Sequence, residues 1–113
     1  MIMKSYTDIE QSKKLAEILS LENADMIWVL ANPDLPMIKV IAYKDSEKSK
    51  YYETLPCWSL AALLDVLPKY ELYNFGDTIQ LDVNREALAT EGDETLLDLV
   101  VNMIIHLYEI KVL

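Results

Sequence analysis

Cys57 and His106 are the only thiol and the only imidazole among the 113 residues, so the one nucleophile-and-base pair this chain can assemble is Cys57 with His106. A helix N-terminus lowers a thiol pKa, and Cys57 stands just ahead of a helical leucine stripe. A single Cys beside Trp58 and leucines also fits a small buried hydrophobe, and His106 falls on a polar helix stripe, so the pair is not assigned as catalytic. One Cys and one His fall short of the usual zinc ligand set. Asp82-Val83-Asn84-Arg85-Glu86 has the alternating acids of a calcium loop, but Ala87 stands where that loop needs Gly and Asp93 where it needs Glu. Carboxylates abound without a spacing that selects two for glycoside chemistry. Gly76 and Gly92, the only glycines, cannot write a phosphate-cradling or dinucleotide fingerprint. No catalytic, cofactor-binding or metal-ligating residue is therefore assigned, and no cofactor is expected.

The element that must position Cys57 is the helix after it. Leu60, Leu63, Leu64 and Leu67 recur at helical spacing and predict a buried face, with Asp65 on the wet side. Pro68 stops the helix; its start is set either by Ser59 as N-cap or by Pro56 in the first turn. Trp58, beside that turn, is expected in the core with its indole N–H on a carbonyl.

Upstream, Thr7-Asp8-Ile9-Glu10 reads as a capping box with Thr7 as N-cap, opening a helix of roughly three turns. Ile9, Leu15, Ala16, Ile18 and Leu19 form its apolar side, and it ends near Ser20 to Asn23. Residues 24–31 are apolar on both faces, and 37–43 are β-branched again after the turn chemistry of 32–36, which predicts an antiparallel hairpin. Residues 45–50 read as a polar loop and 51–53 as a short third strand. Residues 70–75 and 78–83 predict a second hairpin around Gly76-Asp77, with one wet face. Residues 84–92 are expected to be a loop with one helical turn.

The last helix is expected from about Glu94 or Leu96 to Ile110, capped by Asp93 or by a Thr95-x-x-Asp98 box. Asp98, Asn102, His106 and Glu109 are spaced by four, four and three, which gathers the polar residues on one solvated stripe with His106 near Glu109. The remainder is apolar, as in a core helix or one shared with a second subunit. The order helix, hairpin, helix, hairpin, helix predicts a single α+β domain over residues 1–113, an antiparallel sheet packed with about three helices.

Nineteen acids against ten bases leave a net charge of −9, which argues against phosphate-mediated binding of nucleic acid and against anionic membrane surfaces. The single Cys and the lack of a positively flanked apolar opening segment predict a reducing cytoplasm. The longest apolar run is broken by Asn102, His106 and Glu109, too short and polar for a bilayer span. Met1 and Met3 both stand as starts.

Three stretches carry a resemblance: Lys14-Leu15-Ala16-Glu17-Ile18-Leu19 with Leu21-Glu22-Asn23-Ala24-Asp25-Met26; Pro56-Cys57-Trp58-Ser59-Leu60-Ala61-Ala62-Leu63-Leu64 with Val66-Leu67-Pro68; and Met103-Ile104-Ile105 with Leu107. Together they resemble a family of small uncharacterised proteins of gut anaerobic bacteria and of their phages and mobile elements. The resemblance implies a cytoplasmic, mobile-element setting and no site residue. Relatives usually carry an acid where Asn102 stands and often a Lys where His106 stands, so it implies no catalytic role for either position.

The expected function is that of a non-enzymatic interaction or accessory protein, with a second copy of itself or a basic host protein as partner. Dimerisation is expected through the last helix or the two-sided Trp28 strand. The tyrosines and Phe75 fit protein contact or sheet packing better than base stacking. Two alternatives remain: a small-ligand module with an apolar pocket ringed by tyrosines, and a small hydrolase or transferase using Cys57.

Overall fold

A computed structural model describes residues 4–29, 37–40 and 54–113. The expected turn at 32–36, the polar loop at 45–50 and the strand at 51–53 lie outside the described residues. The elements run α1 (Ile9–Ala16), a 3₁₀ turn (Leu21–Asn23), β1 (Met26–Val29), β2 (Met37–Val40), β3 (Thr54–Cys57), α2 (Leu60–Val66), β4 (Tyr70–Asn74), β5 (Ile79–Val83), β6 (Glu86–Ala89) and α3 (Leu96–Glu109). The class is α+β, with two three-stranded antiparallel sheets in the orders β2-β1-β3 and β4-β5-β6.

The helix starts show how short polar side chains choose between roles. Asp8, not Thr7, is the N-cap of α1: its carboxylate accepts from the Gln11 amide at 2.8 Å while the Gln11 side chain accepts from the Asp8 amide at 3.1 Å. This one-residue displacement of the expected capping box turns Thr7 inward, where it is fully buried. The helix itself is two turns long, shorter than its apolar spacing suggested. Ser59 is the N-cap of α2, its hydroxyl accepting from the Ala62 amide at 3.2 Å, and Leu67 before Pro68 ends that helix. Pro56 therefore belongs to β3, which among the described residues is an edge strand of its sheet, a position that tolerates a residue without an N–H.

In the first sheet Trp28 pairs with Ile38 on one side and Leu55 on the other. Residues 5–7 extend it locally, running antiparallel to 58–60. Thr7 N–H donates to the Trp58 carbonyl at 3.0 Å and Leu60 N–H to the Ser5 carbonyl at 3.1 Å.

The second sheet is a meander. Residues 84–92, expected as a loop with a helical turn, instead contain β6. Asn84 and Arg85 both adopt left-handed backbone (φ 49° and 70°), making a two-residue turn that lays Glu86 against Val83. Helix formers in a short segment yield there to the ladder and to Leu88 packing opposite Leu81.

The core is built on α3. Leu97, Leu99, Val100, Val101, Met103, Ile104 and Leu107 are all buried. They meet Trp58 and Leu63 from around α2, Leu15 from α1, and Leu81 and Val83 from β5. The nearly all-round apolarity of α3 is thus used within one chain, covered by α1, α2 and the β5–β6 side of the second sheet. The Trp58 ring is fully buried as expected, but its indole N–H reaches no partner among the described residues; Trp28 is the tryptophan whose N–H finds a carbonyl.

Candidate functional site

Cys57 ends β3, and the chain at 5–7 folds across it. Its sulfur lies 3.5 Å from the Thr7 hydroxyl and 3.4 Å from the Thr7 carbonyl, and the Thr7 hydroxyl lies 2.8 Å from that of Ser12. The Trp58 amide donates to Thr7 Oγ1 at 3.1 Å and Trp28 Nε1 to the Thr7 carbonyl at 3.0 Å. One proton arrangement uses every contact: Ser12 and Trp58 donate to Thr7 Oγ1, Thr7 donates to the sulfur, and the thiol donates to the Thr7 carbonyl. Thr7, Ser12 and Cys57 are all fully buried. Burial pushes the Cys57 thiol up, against hydrogen bonds from Thr7 and Ser12 that favour the thiolate. A buried neutral thiol in a closed polar circuit is a structural group, not a nucleophile.

His106 is engaged elsewhere. Its Nε2 lies 2.9 Å from Glu86 Oε2 on β6, so the cysteine–histidine pair is not assembled, and the expected neighbour Glu109 is not its partner. The polar stripe of α3 proves to be three separate fastenings. Asp98 receives Lys4 Nζ at 2.9 Å, Gln11 Nε2 at 2.8 Å and the Thr95 amide at 2.9 Å, Asn102 donates to Glu94 at 2.9 Å, and His106 binds Glu86. Burial alone would raise the Asp98 carboxyl, but the Thr95 amide with Lys4, Gln11 and the Thr95 hydroxyl lowers it from 3.8 to about 2.

The acids at 82–86 do not converge either. Asp82 faces Ala87 across the ladder and Val83 faces Glu86, so Asp82 and Glu86 lie on opposite faces of the sheet. Among the described residues no group of three or more His, Cys, Asp or Glu is placed to hold a metal ion, and no helix is long and apolar enough to cross a membrane.

A cleft of about 310 Å³ lies between the 3₁₀ turn and α2, lined by Glu22, Ala24, Asp25, Ala61, Ala62 and Asp65 among others. Asp25 there accepts from the Ser59 amide at 2.8 Å and from its hydroxyl at 2.5 Å. These bonds fasten the start of α2, and the cleft is lined by three acids, an asparagine and three alanines, with no tyrosine at its rim.

The second sheet offers a different surface. Its inner face, with Leu81 and Val83, is buried against α3, while its outer face stays open. On that face stand Glu71 and Tyr73 of β4 with Phe75 just beyond it, Gln80 and Asp82 of β5, and Ala87 and Ala89 of β6. Tyr73 and Phe75 stack with ring centroids 6.4 Å apart and planes 19° apart, and Phe75 is 62% exposed. At the border Leu72 is 41% exposed, although it points to the inner side opposite Leu81.

β4 is an edge, with β5 as its only neighbour among the described residues. The Phe75 amide donates to the Thr78 carbonyl at 2.8 Å, so by strand periodicity Tyr73 and Glu71 also bond inward to β5. The amides and carbonyls of Tyr70, Leu72 and Asn74 then point to the free side. The aromatic set noted in the sequence divides accordingly. Tyr70 packs on the core, Tyr73 and Phe75 form the exposed stack, and Tyr43, Tyr51 and Tyr52 lie outside the described residues. The exposure of Leu72 had no sequence signal, because it depends on how far α3 reaches across the sheet; the i, i+2 spacing of Tyr73 and Phe75 did signal a shared face. Comparison with family models, curated proteins and solved structures returns no match.

Proposed function

We propose that the chain is a small, non-enzymatic, cytoplasmic interaction protein that recognises another protein through the open face and free edge of the β4-β5-β6 sheet. The observation that supports this most is the stacked pair Tyr73, on the edge strand, and Phe75, just beyond it, with Leu72 at the border of the same strand, each at least 40% exposed. Large apolar and aromatic side chains grouped at a surface commonly mark contact sites, and long exposed edges are otherwise blunted. The resemblance of the three motif stretches adds a phage or mobile-element setting, and the single thiol favours a reducing compartment. Because α3 is covered within its own chain, the sheet is the better candidate for the contact than the last helix.

The test compares immobilised wild-type chain with Phe75→Glu, after confirming that both melt at the same temperature. Host-cell proteins retained by the first and released by the second would support the reading. Identical retention by both would overturn it.

A further inference from the structure

We propose that the partner supplies a basic β-strand, which pairs with the free edge of β4 and sets its lysine or arginine side chains over Glu71 and Asp82. This rests on the interaction reading above and names the chemistry of its partner.

The backbone argument comes first. Tyr70, Leu72 and Asn74 present outward N–H and C=O groups in the alternating array that an added antiparallel or parallel strand uses. Neither a Pro nor a Lys lies within β4 to blunt it.

The charge argument fixes the partner's sign. Glu71 and Asp82 stand directly opposite each other on adjacent strands, a like-charge pairing that weakens a sheet. Each carboxylate is held where it is: Glu71 accepts the Tyr73 hydroxyl, and Asp82 accepts Gln80 Nε2 at 2.8 Å. Among the described residues no cation forms an ion pair with either, and Lys69, the nearest in sequence, does not. The sheet thus keeps two carboxylates together on its open face, with Ala87 beyond Asp82 too small to cover them. A strand added to β4 places alternate side chains beside Glu71 on this same face, and a cation there offsets the repulsion between the two acids. The Tyr73 ring next to it adds a face over which an Arg or Lys can lie. With a net charge of −9 on the chain, a basic strand is drawn in where a second acidic copy is repelled.

The experiment uses the full chain and two nine-residue peptides, one alternating Lys with Val and one alternating Glu with Val, with amide hydrogen exchange as the readout. At a concentration about ten times its Kd, the lysine peptide should slow exchange at Tyr70, Leu72 and Asn74 roughly ten-fold. It should leave Glu71 and Tyr73, already bonded to β5, unchanged. The protection should shrink in high salt, and Glu71→Gln with Asp82→Asn should remove the preference for the lysine peptide without lowering the melting temperature. Equal protection by both peptides would overturn the basic character of the partner. Binding that perturbs the Tyr73 and Phe75 side chains without slowing the three edge amides would overturn strand addition, while the Phe75→Glu comparison above judges the interaction reading separately.

Discussion

Lys4 Nζ lies 2.9 Å from Asp98 Oδ1, a contact across 94 positions of the chain that joins the segment before α1 to the first turn of α3. Asp98 is both the partner of that cation and the N3 residue of the α3 capping box. One carboxylate therefore serves helix start and tertiary closure together.

The protonation of Asp98 should be visible in acid. Its folded pKa of about 2 lies below the ordinary 3.8, so the stabilisation is present above the ordinary value and is lost as pH falls through the folded one. With the side chain 21% exposed, the contribution is on the order of 2 kcal/mol. Chemical denaturation at pH 6, 4 and 2.5 should show the midpoint falling between the last two, and Asp98→Asn should flatten that fall. Lys4 responds at the other end. Burial lowers its pKa, but Asp98 and Asp8 together raise it above 10.5, so its contribution holds below that pH and is lost as pH climbs past the raised value.

Cys57 should react with thiol reagents only through unfolding. Its sulfur is fully buried, and burial pushes its pKa up. The labelling rate should rise with denaturant in step with the unfolded fraction, and rapid labelling in buffer alone would contradict the closed Thr7–Ser12–Cys57 arrangement.

The sequence was readable wherever one residue's chemistry decides the local outcome. Pro68 as a stop and the alternation of Ile79, Leu81 and Val83 appear where spacing placed them, and Ser59 and the Thr95-x-x-Asp98 box are the ones the chain uses of the two starts expected for each helix. It was less readable where two local solutions compete within one residue, as with Thr7 and Asp8 for the cap, or where a turn lacks its usual glycine, as at Asn84-Arg85. The partners of Asp98 and His106 were not legible at all, since Lys4 and Glu86 reach them only after the sheets and helices have packed. For the candidate surface, spacing showed that Tyr73 and Phe75 share a face but not that the face stays open.

The Asn84-Arg85 turn yields a stabilising change. Arg85 holds φ 70°, a conformation that costs a residue bearing Cβ about 1 kcal/mol relative to Gly in a turn of this kind. Arg85→Gly should raise the melting temperature, offset in part by the greater freedom of Gly in the unfolded chain, whereas Arg85→Val should lower it. Thermal melts of the two variants check the sign.

At the centre of α3, Val100 and Ile104 have no exposed surface. Ile104→Ala should cost about 2–5 kcal/mol and Ile104→Val about 0.5–1.5 in denaturant titrations. Val100→Glu, which buries an unpaired carboxylate, should abolish folding; unchanged solubility, mass and melting in that variant would contradict the placement of this helix.

Thr7 also bears on the order in which the chain assembles. Its hydroxyl takes the Trp58 amide across 51 positions, whereas the turns joining β4 to β5 and β5 to β6 close over only a few residues. Closing the longer loop costs ~2 kcal/mol more chain entropy, so the C-terminal meander is expected to form ahead of the crossing of residues 5–7 over 58–60. A late-closing contact acts on the unfolding limb of the kinetics. Thr7→Ala should therefore quicken unfolding and leave refolding nearly untouched, and the first sheet would be the part of the molecule that opens first.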